Sequence, residues 1–202
     1  MQSYFAVGSI ALVLNSKLEI TREITMIPGP YIVQLGSVTD ILAAKTARGI
    51  AHWRPGAAIG EIAEPGCAVS VGLPKMSLSE AVAKGARTAV IGFANAGGVM
   101  DRLTVAFCVE ALRAGLNVAS GLHVRLSGEP EIKAAADAAG LALFDVREPP
   151  ERLPVGNGAK RAGYRLLTVG TDCAVGKMYT TLALERELRA RKINADFRAT
   201  GQ

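Results

Sequence analysis

The sequence is poor in the residues that hold metals and disulfides. It has three cysteines and two histidines. Cys67, Cys108 and Cys173 are odd in number, and no two are spaced as a CxxC pair. That argues against a disulfide framework and a zinc site, so no metal is expected, and it points to a reducing compartment, the cytoplasm. Aromatic residues make up only 5% of the chain, and its 23 Lys and Arg are scattered except at Arg189, Arg191 and Lys192. Nucleic acid, which needs basic stripes and stacking rings, is therefore not an expected partner. A membrane is not expected either. The apolar run Tyr4 to Leu14 (YFAVGSIALVL) is too short to span a bilayer as a helix, and no basic segment precedes it.

What is present is the material of a folded core. Half of the 202 residues are hydrophobic and 20% are charged, which excludes disorder and allows one generous domain or two small ones. The formal net charge of +5 favours small anionic molecules as ligands.

From residue 30 onward, strand and helix signals alternate. The pattern predicts a strand over Tyr31 to Leu35, then a helix from Asp40 to His52 capped by Thr39 or Asp40 and closed by Pro55. Strands follow near Ala57 to Ile62 and, more weakly, Ala68 to Val71. The capping box Ser77 to Glu80 opens a helix that stops at Gly85. Thr88 to Gly92 is the next strand, and Asp101 caps a helix running to Gly115. A strand at Leu116 to Ala119, a helix from Pro130 to Ala139 and a strand at Leu141 to Val146 complete the series. Such alternation specifies an α/β fold with a parallel sheet covered by helices.

The expected organisation has four parts. Residues 1–25 form an N-terminal extension outside the main fold, with an extra strand as the competing reading. Residues 26–148 form the α/β domain. Residues 149–163, rich in Pro, Gly and charge, form a linker. Residues 164–202 hold one β-α-β unit: a strand at Tyr164 to Val169, a helix from Val175 to about Arg191 and a strand at Ala195 to Arg198. One such unit cannot bury a core alone, so this second domain is expected to be truncated.

The most informative stretch joins that strand to its helix. Gly170-Thr171-Asp172-Cys173-Ala174-Val175-Gly176-Lys177-Met178-Tyr179 is a glycine-bracketed loop followed by lysine. Backbone N–H groups in such a loop cradle phosphate oxygens, Gly176 admits the ligand closely, and Lys177 adds charge on the phosphates. The pattern differs from G-x-x-x-x-G-K-[ST] at two positions. Thr171 stands at the first glycine position, with Gly170 one residue earlier, and Met178 stands where a hydroxyl usually meets Mg²⁺. A thioether is a poor Mg²⁺ ligand, so phosphate binding is better supported than metal-dependent phosphoryl transfer. The spacing G-T-D-x-x-V-G-K resembles dethiobiotin synthetase, an ATP-dependent enzyme.

Other candidates carry less. Arg198, Thr200 and Gln202 lie just past a strand's C-terminal end, where parallel sheets bind ligands; an ordinary frayed tail explains them too. Gly92 to Gly98 is a second glycine-rich loop after a strand, though Asp101 beside it would repel an anion. His123 is a candidate general base or a structural hydrogen-bonder. Asp145 and Arg147 either pair or bind substrate. Lys45, His52 and Trp53 are explained by packing and solvation. Cys173 is either a reactive thiol at a helix start or a small residue that fits the turn.

Taken together, Gly121 to Leu126, Phe144 to Arg147, Leu167 to Thr180 and Asp196 to Gln202, with Lys45 to Ile50 and Trp53 to Pro55, resemble the DgcN family. The likeness runs from about Pro30 to the end of the chain. It implies a Rossmann-like N-terminal domain followed by a P-loop domain that continues past the Thr200-Gly-Gln202 motif. Met178 is ordinary in that family. Some members are D-glutamate N-acetyltransferases that use acetyl-CoA. The resemblance therefore implies acetyl transfer to the amine of an acidic amino acid, with acetyl-CoA on the loop; Arg198, Thr200 and Gln202, by their place past a strand end, and Arg147 are the substrate-binding candidates. His123 and Arg198 stand as catalytic candidates. The alternatives are an ATP-dependent, Mg²⁺-using ligase or kinase and a nucleotide-sensing module. A homo-oligomer acting on a small molecule is expected.

Overall fold

The computed structural model describes residues 10–14, 27–94, 100–147, 158–159, 163–171 and 176–199. The chain divides into two compact units, one within residues 26–148 and the other within residues 149–202 together with strand β1, Ile10–Leu14.

In the first unit, β2 (Tyr31–Gln34), β3 (Ala58–Ile62), β4 (Thr88–Ile91), β5 (Asn117–Ser120) and β6 (Leu143–Asp145) form one parallel sheet in the order β3-β2-β4-β5-β6. Helices α1 (Lys45–Trp53), α2 (Leu78–Ala83), α3 (Arg102–Arg113) and α4 (Pro130–Ala139) lie between successive strands. The chain steps outward from β2 to β3, then returns past β2 to β4. This reversal puts α1 on one face and α2, α3 and α4 on the other, because crossovers are right-handed. The packing agrees. Residues from α2, α3 and α4 join Ile32, Ile91 and Val118 in one apolar cluster, while Ala47 and Ile50 of α1 are buried outside it. The reversal also opens a crevice at the carboxyl ends of β2 and β4.

Local signals explain most of the helix ends. Ser77 Oγ accepts from Glu80 N–H at 3.3 Å and Glu80 Oε2 from Ser77 N–H at 2.7 Å, completing the capping box of α2. Asp101 Oδ1 accepts from Thr104 N–H at 2.7 Å and caps α3. Pro130 opens α4, and Gly140 ends it in the left-handed region.

Three expectations need correction. Helix α1 begins at Lys45 rather than Asp40. Asp40 Oδ1 instead accepts from Leu42 N–H at 2.9 Å, a side-chain turn that competes with helix. No strand forms over 68–71; the backbone there is pinned by Glu61 Oε2, which accepts from Val71 N–H at 2.9 Å. Nor is the whole of 1–25 outside the fold, because β1 is a working strand of the second unit.

That unit consists of β7 (Tyr164–Leu167), α5 (Lys177–Ala190), β8 (Ala195–Ala199) and β1, in sheet order β7-β1-β8. β1 pairs antiparallel with both neighbours, so β7 and β8 run parallel with one strand between them. The uncharged, β-prone sequence IALVL suits that central position. Tyr164, Leu166 and Leu167 of β7 remain exposed. Among the described residues, no helix is long and apolar enough to cross a membrane.

Candidate functional site

The second unit builds the phosphate-loop candidate from the strand outward. β7 ends at Leu167, Gly170 and Thr171 follow as exposed backbone, and α5 starts at Lys177. Gly176 is the N-cap of α5, with φ 91° and ψ 11°, a left-handed conformation suited to glycine, and no side chain caps the helix there. The first turn of α5 therefore keeps the donor character of a helix start, and it carries no acidic residue to oppose an anion. Lys177 is half-buried at that turn. Asp172, Cys173, Ala174 and Val175 lie outside the described residues.

A hydroxyl network anchors the loop helix to the strand. Thr168 Oγ1 donates to the Lys177 carbonyl at 3.1 Å and lies 2.7 Å from Thr181 Oγ1, and Thr181 is fully buried. Thr180 Oγ1 donates back to the Gly176 carbonyl at 3.1 Å. Both threonines of the first turn and a half are thus engaged with backbone, while Met178, half-buried, presents a thioether. Tyr179 is 38% exposed.

A second network locks α5 to β8. Glu185, 3% exposed, accepts from Phe197 N–H at 3.1 Å through Oε1, and the same oxygen meets Arg189 Nη2 at 3.0 Å. Arg189 Nε donates to the Ala195 carbonyl at 2.8 Å. Arg198, a substrate-binding candidate, pairs with Asp196. Thr200 and Gln202 lie outside the described residues.

In the first unit, the ends of β5 and β6 bring His123 and Arg147 together. Arg147 Nε donates to the Gly121 carbonyl at 2.7 Å, and its Nη1 stands 3.4 Å from His123 Nδ1, both side chains being exposed. Asp145 turns elsewhere: its oxygens accept from Leu126 N–H at 2.7 Å and from Ser127 Oγ at 3.0 Å. Asp145 is therefore a turn-holding residue, and Arg147 is left facing outward beside a histidine. His52 packs edge-on to Trp53 with ring centroids 4.7 Å apart. Burial pushes the Cys108 thiol up to about 12, so it is an inert core residue. Residues 95–99 of the glycine-rich loop after β4 lie outside the described residues.

One feature escaped the sequence reading. A cavity of about 290 Å³ sits at the carboxyl ends of β2 and β4, lined in part by Ser37, Asp40, Glu64, Phe93 and Asp101. Its lining comes from the segment after β2, from Glu64 after β3 and from the start of α3, which no single stretch of sequence joins.

Comparison with known proteins divides the chain in the same way. Residues 61–149 match the Rossmann-like N-terminal domain of the DUF1611 family, a domain of unknown function, and residues 154–202 match that family's P-loop domain. A D-glutamate N-acetyltransferase of Tritonibacter scottomollicae is 51% identical over 177 residues, covering 88% of this chain and 53% of the relative. One from a Pseudoalteromonas species is 46% identical over 173 residues, covering 86% and 52%. The chain thus spans about half the length of the curated relatives it matches. A crystal structure of a DUF1611 family protein from Anabaena variabilis is similar with a TM-score of 0.59 at 28% identity, covering 80% of this chain and 49% of that one.

Proposed function

The chain belongs to the DUF1611 family, its Rossmann-like and P-loop regions both matched and in that order, and from this premise we propose that it serves an N-acetyltransferase that moves an acetyl group from acetyl-CoA to the amine of an acidic amino acid, D-glutamate. The supporting observation is the start of α5: a left-handed Gly176, no side-chain cap and Lys177 in the first turn. The relatives named D-glutamate N-acetyltransferase support the same reading.

Gly170, Thr171, Gly176 and Lys177 suit the pyrophosphate and 3′-phosphate of CoA, because they offer backbone donors and one cation. The same reading assigns Asp172 to Val175, Met178 and Tyr179 to the donor site. Bound acetyl-CoA supplies the acetyl group as an activated thioester. The acceptor amine must lose its proton, and the developing oxyanion needs donors. His123 is the first unit's candidate for a general base. Arg147 receives the acceptor's carboxylate, its guanidinium being oriented by the Gly121 carbonyl. Arg198, Thr200 and Gln202 are the second unit's candidates for contact with substrate.

The loop spacing also favours a second reading, a ligase or kinase using ATP with Mg²⁺. Against it stand the hydroxyls of Thr180 and Thr181, which are committed to backbone carbonyls, and the thioether of Met178. Two measurements separate these readings. Protein is incubated with acetyl-CoA and a panel of D- and L-amino acids, and free CoA thiol is followed. D-glutamate-dependent thiol release is expected; no release with any amine refutes acetyl transfer. Calorimetry then compares CoA with ATP·Mg²⁺. Tight, Mg²⁺-dependent ATP binding without CoA binding would favour the ligase, and binding without turnover a sensing module.

A further inference from the structure

We propose that residues 69–73 form a strap that opens as a unit from the edge of the first unit's sheet, with the buried carboxylate of Glu61 as its latch. β3 is the outer strand of that sheet and pairs with β2. Residues 63–76 follow it without forming a helix or a named strand, a length of irregular chain that is uncommon in a compact domain.

Both ends of this segment are anchored by backbone. At its start, Glu64 N–H donates to the Gly36 carbonyl at 2.9 Å and Ala68 N–H to the Val38 carbonyl at 3.0 Å. At its end, Glu61 N–H donates to the Pro74 carbonyl at 2.9 Å and Met76 N–H to the Glu61 carbonyl at 3.2 Å. Met76 packs against the apolar cluster, so close to Gly60 that a Cβ there would stand 2.6 Å from its Sδ.

The middle is held differently. No residue from 69 to 73 is buried, and Gly72 N–H is satisfied within the strap by Ser70 Oγ at 3.1 Å. Among the described residues, the strap's hydrogen bonds to the sheet converge on one oxygen: Glu61 Oε2 accepts from Val71 N–H at 2.9 Å and from Leu73 N–H at 3.4 Å. Glu61 is fully buried, and its other oxygen, Oε1, has no hydrogen-bond partner among the described residues. A buried carboxylate oxygen without a donor is costly, and opening the strap returns it to water together with the two amides. The latch therefore holds the strap while lowering the cost of its release. Gly66, at φ +88°, and Gly72, at φ +83°, give the backbone its turning points, each with open space where a Cβ would stand. Glu64, at the anchored start, lines the crevice at the carboxyl end of β2, so the segment borders the place where open α/β sheets admit ligands.

Native-state hydrogen exchange on the whole chain tests this without any ligand, so its outcome does not depend on acetyl transfer. In the wild type, the Val71 and Leu73 amides should exchange at a common rate, about tenfold or more faster than the anchors Ala68 and Met76. Glu61→Leu removes both oxygens while filling their space, and should accelerate Val71 and Leu73 a further ten- to hundred-fold, roughly. Glu61→Gln keeps an oxygen for these amides and should accelerate them far less. Amides of β2 and β4 should keep their wild-type rates in both variants; if β2 loses protection in Glu61→Leu, the wild-type rates and the glutamine variant decide. The proposal is overturned if Val71 and Leu73 exchange as slowly as Ala68 and Met76 in the wild type, if a folded Glu61→Leu leaves them unchanged, or if the glutamine variant is accelerated as much as the leucine variant.

Discussion

Replacing Glu185 by alanine should loosen β8 from α5 without touching the phosphate loop itself. Glu185 is 3% exposed, and one of its carboxylate oxygens meets both Phe197 N–H at 3.1 Å and Arg189 Nη2 at 3.0 Å. Losing a charge-assisted hydrogen bond to a part-buried backbone amide costs about 1.5–3 kcal/mol. The Arg189 side chain is 57% exposed, so water replaces its lost partner, and that half of the interaction contributes only about 0.2–1 kcal/mol. The total for Glu185→Ala is about 2–4 kcal/mol. Glu185→Gln keeps an acceptor for Phe197 N–H and loses only the ion pair, so its cost stays below about 1 kcal/mol. Native-state hydrogen exchange at the β8 amides reads the difference directly. Phe197 should exchange roughly thirty- to several-hundred-fold faster in the alanine variant and within about fivefold of wild type in the glutamine variant. Equal acceleration in both variants would mean that the charge on Arg189, not the acceptor for Phe197, holds the strand. Unchanged exchange in Glu185→Ala would refute the network altogether.

Other consequences follow from single contacts. Lys177→Ala should weaken CoA binding about ten- to hundred-fold while leaving the melting temperature without ligand nearly unchanged; an unfolded variant whose residual folded fraction binds normally would make the loop structural. Met178→Thr should leave CoA affinity unaltered, and a large gain would contradict the phosphate-only reading of this position. Gly36→Ala should destabilise the first unit by about 2–4 kcal/mol, since φ is +59° and the new Cβ would stand 2.9 Å from the Phe93 ring; a neutral result in denaturant unfolding would show that the ring yields. Burial raises the Cys108 thiol from 9.0 to about 12, so the folded state holds this proton more tightly than the unfolded chain. The resulting stability is complete below the unfolded value and is lost as pH rises from about 9 toward 12, at up to roughly 1.4 kcal/mol per pH unit. Cys108→Ala should flatten that decline, and an unchanged pH dependence would count against it.

What could be read from the sequence was what depends on neighbours a few residues apart. The box Ser77 to Glu80, the cap at Asp101 and the span Pro130–Ala139 all formed where local chemistry dictated. Where local chemistry offered two outcomes, the reading went astray. Asp40 caps a helix or closes a turn with the same oxygen, and it closed the turn. Strand order was hidden, because the place of β3 beyond β2 and of β1 between β7 and β8 is settled by pairing between distant segments. The two candidate sites divide in the same way. The phosphate loop draws its chemistry from consecutive residues, so glycine, lysine and spacing announce it. The cavity in the first unit brings Asp40, Glu64 and Asp101 to one crevice, and no window of sequence contains all three. Gln34, a polar residue in a strand that the sheet buries on both faces, finds a partner for its nitrogen in Glu64, and that pairing is settled by the fold and not by neighbouring residues.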